Sequence, residues 1–182
     1  MSATTCRLAW PQDAEAIADV QVAAWRRSYA GVLPDEVLAG LDRASLVRAW
    51  RDEIARPAEA RQRILVALEE DHIVGYVLTA PAADPDCNPA TDGEIDDLTV
   101  HGDHEKSGHG SRLLHAAIDT LRADGFERAI VWLTSTDDVR RAFLMESGWA
   151  ADGAHRTLDL NGDGEVLVNQ VRLHTDLRAT AP

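Results

Sequence analysis

The first third of the chain carries apolar residues at helical spacing. Pro11 and Asp13 are typical of a helix start, and apolar positions between Ile17 and Trp25 then recur with a helical period. The pattern predicts a helix that ends near Tyr29. A short extended segment is predicted before it at residues 6–9, and two further helices after it at residues 35–41 and 44–54.

The next part of the chain changes to a β pattern. Residues 63–68 and 73–79 are apolar and β-branched and are joined by a short polar turn, which predicts an antiparallel hairpin. Residues 81–93 follow, rich in proline, aspartate and other turn-forming residues and without periodicity. We therefore expect a mobile loop there, acting as a lid or a spacer.

The next part of the chain predicts a strand at residues 94–100 and a glycine-containing loop at residues 105–110. A helix follows the loop and ends at Gly125. A buried strand at residues 129–133 completes a strand–helix–strand unit, which implies two parallel strands with a right-handed crossover. Ligands favour the carboxyl end of such strands, where the loop lies. The remaining predicted elements are a helix at residues 138–146, strands at 157–160 and 166–174, and a turn at 161–164.

The loop reads Glu105-Lys-Ser-Gly-His-Gly110 and is a candidate phosphate site. Backbone N–H groups at a helix start carry partial positive charge, and glycine allows a ligand to approach closely. Lys106 in this loop is the only lysine of the chain. A dinucleotide fingerprint would require a third glycine where Leu113 stands, and a nucleoside-triphosphate loop would require Gly-Lys-Ser or Gly-Lys-Thr, which the sequence lacks.

Length and charge narrow the class of protein. With 182 residues and 45% hydrophobic composition, the chain fits one domain, residues 1–182. Its net charge of −13 disfavours nucleic acid as a partner and favours a cationic one. No apolar run approaches the ~20 residues of a membrane span, and the first residues lack a signal-peptide pattern, so we expect a cytoplasmic protein without membrane contact.

The sequence predicts no metal site. Cys6 and Cys87 lie far apart and without metal-like spacing. A local group of histidines has neither a strict helical i, i+4 pair nor an accompanying cysteine: His101, His104, His109 and His115. Residues 159–164 imitate the start of a calcium loop, but the flanking strands and Gln170 at the twelfth position favour a hairpin turn.

The order and spacing of these elements resemble the GNAT superfamily of acyl-CoA-dependent N-acyltransferases. That family has a strand, then Arg/Gln-x-x-Gly-x-Gly/Ala, then an apolar helix, matched here by residues 94–100 and by Glu105-Lys-Ser-Gly-His-Gly110. Phe143-Leu-Met-Glu-Ser-Gly-Trp149 and residues 24–34 also resemble family segments, so the resemblance covers nearly the whole chain. It implies one α/β domain whose mixed, mostly antiparallel central sheet is flanked by helices, with a parallel strand pair around the CoA site.

The resemblance also implies acetyl-CoA as acyl donor, a primary amine of a small molecule as acceptor, and no metal. The donor is expected to pair with the backbone at the end of the fourth strand and to place its pyrophosphate on the loop and helix start. The expected donor-binding residues are Leu98, Thr99, Val100, Lys106, Ser107, Gly108, His109, Gly110, Ser111 and Asp137. The side chains of Lys106, Arg112, His104 and His109 would offset the acidic charge locally.

Transfer to an amine requires a base, because an alkyl ammonium has a pKa near 10.4 and only the neutral amine attacks. The family often has a glutamate where this chain has Glu94, which we expect to be the base, with Asp97 as the reserve catalytic carboxylate. Asp96 is expected to bind the cationic acceptor, and Trp25 and Tyr29 to line its pocket.

Three residues depart from the family pattern: Glu105 replaces Arg or Gln, Asp137 replaces a common asparagine, and Leu144 replaces the tyrosine that often protonates the leaving thiolate. Two alternatives therefore stay open, transfer to an amine of a protein or peptide and an acyl-CoA-binding sensor with impaired catalysis. The resemblance also allows a homodimer.

Overall fold

The structure is a computed structural model that describes residues 4–31, 33–160, 164 and 166–178. Its α-helices are α1 (Ala14–Ser28), α2 (Asp35–Ala39), α3 (Arg43–Ala55), α4 (His109–Ala123) and α5 (Asp138–Glu146). Its strands are β1 (Thr4–Leu8), β2 (Arg63–Glu69), β3 (His72–Pro81), β4 (Asp92–Val100), β5 (Arg128–Thr134), β6 (Ala150–Asp159) and β7 (Leu167–Asp176). Short 3₁₀ turns lie at Pro11–Asp13 and Gly102–His104.

In the described part of the chain, seven strands are hydrogen-bonded in the order β1-β2-β3-β4-β5-β7-β6. The pairs β1–β2, β2–β3, β5–β7 and β6–β7 are antiparallel, whereas β4 and β5 are parallel. A parallel pair requires a long crossover, which α4 supplies between β4 and β5. The predicted fold class, a mostly antiparallel sheet with one parallel pair, is confirmed.

The chain divides into two compact units, and the first comprises the residues up to Ala80 together with Asp97–Thr120. Its apolar core joins α1 and α3 to β2 and β3. Trp50 is 6% exposed, donates a hydrogen bond from Nε1 to Gln21 at 2.8 Å, and meets the ring of Tyr76 edge-on. Burying an indole with its N–H satisfied is favourable, so Trp50 stabilises this core.

The second unit comprises Pro81–Asp96 and the residues from Leu121 onward. Strand β5 is its centre, with Ile130 fully buried and pairing with β4 on one side and β7 on the other. Gly93 of β4 faces Leu121, whose Cδ2 would lie 2.6 Å from a Cβ at that position. Glycine therefore permits this close packing, because a Cβ there would require the Leu121 side chain to shift.

One element prediction needs correction. Strand β6 begins at Ala150, well before the predicted residue 157. The sequence did not indicate this early start, because the strand lies at the edge of the sheet, where its exposed and half-buried residues alternate without an apolar run. Its register shifts between Ala151 and His155, where Gly153 has φ +87°. Residues 161–163 of the predicted turn, which are half of the calcium-loop-like segment 159–164, lie outside the described residues.

Among the described helices, none is both long and apolar enough to cross a membrane.

Candidate active site

The predicted phosphate loop lies in the first unit and leads directly into α4. Lys106 has φ +60° and Gly108 has φ +84°, both in the left-handed region, so the chain turns tightly before the helix begins at His109. The backbone N–H of Arg112 donates a hydrogen bond to the carbonyl of Gly108 at 3.1 Å and so forms the first helical turn. Nη1 of the Arg112 side chain donates to the carbonyl of Ser107 at 3.4 Å. The helix start thus carries a guanidinium as well as its own dipole.

The unusual Glu105 has a partner that the sequence did not reveal. Its carboxylate forms an ion pair with Arg27 of α1, and both side chains are 47% exposed. The guanidinium passes over Gly102, where a Cβ would collide with Nη1 of Arg27. The negative charge at the family's usual Arg or Gln position is therefore compensated within the first unit.

His104, just before the loop, and His109, within it, face a carboxylate of β2. Nδ1 of His104 lies 2.6 Å from Oε2 of Glu69, and Nε2 of His109 lies 3.6 Å from the same oxygen. The His109 side chain is 1% exposed. Both imidazoles therefore lie against Glu69, and their part in offsetting the acidic charge around the loop stays a prediction. The backbone of His109 remains part of the helix start.

The second half of β4 belongs to the first unit and supplies Asp97. Its carboxylate accepts hydrogen bonds from the hydroxyl of Tyr76 at 2.6 Å and from Oγ1 of Thr99 at 2.8 Å. Two donors thus hold Asp97 in place, and its reserve catalytic role stays a prediction. Leu98 and Val100 continue the strand and are half-buried, as are the predicted acceptor-site residues Trp25 and Tyr29 at the end of α1.

Glu94, the expected base, lies in the second unit at the last pair of the parallel β4–β5 register, opposite Ile130. It is 8% exposed, and its Oε2 accepts a hydrogen bond from the backbone N–H of Ala83 at 3.4 Å. Burial raises the pKa of Glu94, and the nearby carboxylates of Asp96 and Asp84 add to the effect, outweighing the Ala83 hydrogen bond. Asp96, the predicted acceptor contact, is exposed.

The segment after β3, expected to be a mobile loop, is instead anchored. Nε1 of Trp132 donates to Asp84 at 2.5 Å, and Arg172 binds both carboxylate oxygens of Asp86 at 2.7 and 2.8 Å. Arg172 is 6% exposed and also donates from Nε to Asp152 at 2.7 Å. The turn-rich composition indicated a loop correctly, but it did not show that the loop's aspartates neutralise a buried arginine.

Two positions that depart from the family pattern lie in the second unit, the expected donor contact Asp137 at the start of α5 and Leu144 on that helix. The carboxylate of Asp137 accepts a hydrogen bond from the backbone N–H of Arg140 at 3.0 Å and so caps the helix. This local role suits an aspartate as well as the family's asparagine, and the contact of Asp137 with the donor stays a prediction. Leu144 is 2% exposed and packs as an apolar side chain without a hydroxyl.

Comparison with sequence models of protein families matches residues 21–149 to the acetyltransferase (GNAT) family, well over half of the 182 residues. The chain belongs to this family. Among curated protein sequences, none matches it. The solved structures it resembles include PaiA N-acetyltransferase from Thermoplasma acidophilum in complex with coenzyme A, at 14% identity and TM-score 0.70, covering 96% of this chain and 99% of that one.

Two other similar structures are YncA from Salmonella typhimurium with its cofactor acetyl-CoA and a ribosomal-protein-alanine N-acetyltransferase from Brucella melitensis. The first has 18% identity and a TM-score of 0.71 over 99% of this chain and 97% of that one. The second has 17% identity and a TM-score of 0.72 over 94% of this chain and 99% of that one. At such identities the likeness shows a shared fold.

Proposed function

We propose that this protein transfers the acetyl group of acetyl-CoA to a primary amine of a small molecule, with Glu94 as general base. Membership of the acetyltransferase family supports acetyl transfer, and complexes of similar folds with coenzyme A and acetyl-CoA support the donor. The proposed reaction uses no metal ion. The observation that carries the assignment of the base is the burial of Glu94 beside the parallel strand pair.

The chemistry of the acceptor explains why burial of Glu94 matters. An alkyl ammonium has a pKa near 10.4, so its proton must leave before nitrogen can attack the acetyl carbonyl. A carboxylate with an ordinary pKa is a weak base, and a raised pKa brings it closer to neutral pH, where proton transfer is most effective. As the C–N bond forms and the C–S bond breaks, Glu94 would hold the amine's proton and the thiolate of CoA would leave.

The first unit offers the features that the donor's pyrophosphate requires. The N–H groups at the start of α4 and its dipole favour an anion by about 0.3–1 kcal/mol. Lys106 and Arg112 bring cationic side chains to the same turn, and Arg27 compensates Glu105. By family analogy, Leu98 to Val100 would pair with the pantetheine arm.

Two observations bear on the leaving group and the reaction path. Burial raises the pKa of the Cys6 and Cys87 thiols, which lowers the thiolate fraction needed for an acyl-enzyme and supports direct attack by the amine. Leu144 provides no proton for the departing thiolate, but a thiol with a pKa near 8.5 can leave as the anion.

A thiol-release assay tests the proposal. The panel pairs acetyl-CoA with polyamines, aminoglycosides, amino acids and short peptides, and release must require both donor and acceptor. Glu94→Gln should lower kcat at least about tenfold, because general-base effects span about 10²–10⁴. The matched control is Glu146→Gln, an exposed carboxylate on α5, which should leave turnover unchanged. Equal activity of Glu94→Gln and wild type would remove Glu94 from the mechanism.

The apolar burial of Leu144 favours one rival, an acyl-CoA sensor that does not turn over. This rival predicts that CoA raises the melting temperature while no amine or peptide gives thiol release. Preference for peptides over free amines in the same panel would instead identify a protein or peptide acetyltransferase.

A further inference from the structure

Glu69, His104 and His109 bring three potential metal ligands together in the first unit. One oxygen of Glu69 and one ring nitrogen of each histidine all lie within 4.8 Å of one another. Glu69 ends β2, whereas His104 directly precedes the phosphate loop and His109 lies within it, at the start of α4. This Glu69–His104–His109 cluster therefore connects the hairpin to the beginning of the loop and to the start of the helix.

The spacing of the ligand atoms suits a tetrahedral ion. Zinc binds imidazole nitrogen and carboxylate oxygen at about 2.0–2.2 Å, so two ligands of one tetrahedral ion lie roughly 3.3 Å apart. Nε2 of His109 is 3.6 Å from Oε2 of Glu69, too long for a good hydrogen bond but close to this ligand–ligand spacing. Nδ1 of His104 is 2.6 Å from the same oxygen and would need to move by less than an ångström.

The burial of His109 limits which of its atoms can bind an ion. Its imidazole is 1% exposed, and its Nε2 is the nitrogen that lies near Glu69. A metal bond at Nε2 would supply a stronger interaction than the 3.6 Å contact with Glu69. Its Nδ1, which is buried without a hydrogen-bond partner in the described part of the chain, lies outside the proposed coordination.

An ion could reach the cluster from a cavity of about 380 Å³ that Glu69 and His104 line together with His72 and His101. The lining is thus rich in imidazole and carboxylate, the ligands that zinc and its neighbours prefer. The net charge of −13 also attracts cations to the protein as a whole.

We propose that Glu69, His104 and His109 bind a divalent transition-metal ion such as Zn²⁺, with the fourth position open to water. The ion would connect the start of the phosphate loop and the start of α4 to the end of β2. This site goes beyond the acetyl transfer proposed above, which needs no metal. Two histidines and one glutamate are also a known zinc ligand set, although their spacing here gave no sequence signal.

Calorimetric titration of Zn²⁺ into the chelator-treated full chain tests this site without any assay of activity. We expect one saturable ion per chain, and Co²⁺ in its place should give the strong visible absorption of a four-coordinate complex. Glu69→Gln and His104→Gln should each weaken Zn²⁺ binding at least tenfold, since even outer-shell changes at metal sites cost about 10–100-fold. Both side chains are part-exposed, so both variants should fold.

The matched control is His115→Gln on α4, because His115 is exposed and bonds to Ser111 of its own helix rather than to the cluster. This variant should bind Zn²⁺ like the wild type. Absence of saturable binding, or equal affinity of Glu69→Gln, His104→Gln and the wild type, would overturn the proposal and leave the cluster as a hydrogen-bonded network.

Discussion

Replacing Arg172 by methionine should destabilise the second unit, because it removes a buried guanidinium from several carboxylates. Arg172 is 6% exposed and binds Asp86 and Asp152. Methionine keeps an apolar stem of similar length, so the change mainly removes the charge and its hydrogen bonds. The side chains of Asp84 and Asp152, each 13% exposed, would lose a cation that lies 3.5 and 2.7 Å away, respectively.

The expected loss in the free energy of unfolding depends on the partners that each carboxylate keeps in the variant. Removing one partner of a buried ion pair costs about 3–5 kcal/mol. Asp152 keeps Arg128 at 2.7 Å, Asp84 keeps the indole N–H of Trp132, and Asp86 is 63% exposed and remains solvated. The low end, about 3 kcal/mol, is therefore expected. For a chain of this size it corresponds to a melting temperature lower by about 6–12 °C.

Urea unfolding followed by circular dichroism measures this free energy. The control is Arg178→Met, because Arg178 is 68% exposed and its pair with Asp176 is screened by solvent. If Arg172→Met is no more destabilising than Arg178→Met, the reasoning from burial is refuted.

The pH dependence of the free energy of unfolding provides a second check. Arg172 helps to hold the pKa of Asp152 and Asp86 below the ordinary 3.8, so its contribution is present above that pH and declines below it.

Three further predictions concern the site. Glu94→Gln should raise the melting temperature at pH 8 but not at pH 4, because the raised pKa of Glu94 means that its ionised form destabilises the fold above that pKa. Lys106→Ala should weaken CoA binding in calorimetry by up to about fivefold, the range of an exposed ion pair, and an unchanged affinity would exclude the lysine from the donor site. Arg27→Gln should also weaken CoA binding, because it leaves the charge of Glu105 uncompensated, and adding Glu105→Gln should restore the affinity.

The parts of the site that depend on local sequence could be predicted. The strand–loop–helix order from β4 to α4 follows from an apolar run, two glycines and a helical period, all within one segment. The helix at Asp138–Glu146 follows from the same kind of pattern. The family resemblance rested on these local features, and the family match over residues 21–149 confirms it.

Long-range charge pairing could not be predicted. Arg27 lies 78 residues from Glu105, His104 lies 35 from Glu69, and Arg172 lies 86 from Asp86. Nothing in the neighbourhood of either residue in such a pair indicates the other, because the contact is created by the fold. For this reason the anchored segment after β3 was expected to be mobile, and Glu69 did not enter the search for metal ligands.

The pairing of the basic residues indicates that the single lysine is available to bind a ligand. In a chain with 31 acidic and 18 basic residues, arginines such as Arg27 and Arg172 are engaged by carboxylates of their own unit. Arginine suits such pairing, because its planar guanidinium binds a carboxylate through two parallel hydrogen bonds. Lys106 is exposed and has no ion-pair partner among the described residues. A lysine that the fold does not use, placed in a tight loop before a helix start, is available to a ligand, and an anion is the ligand that its charge favours.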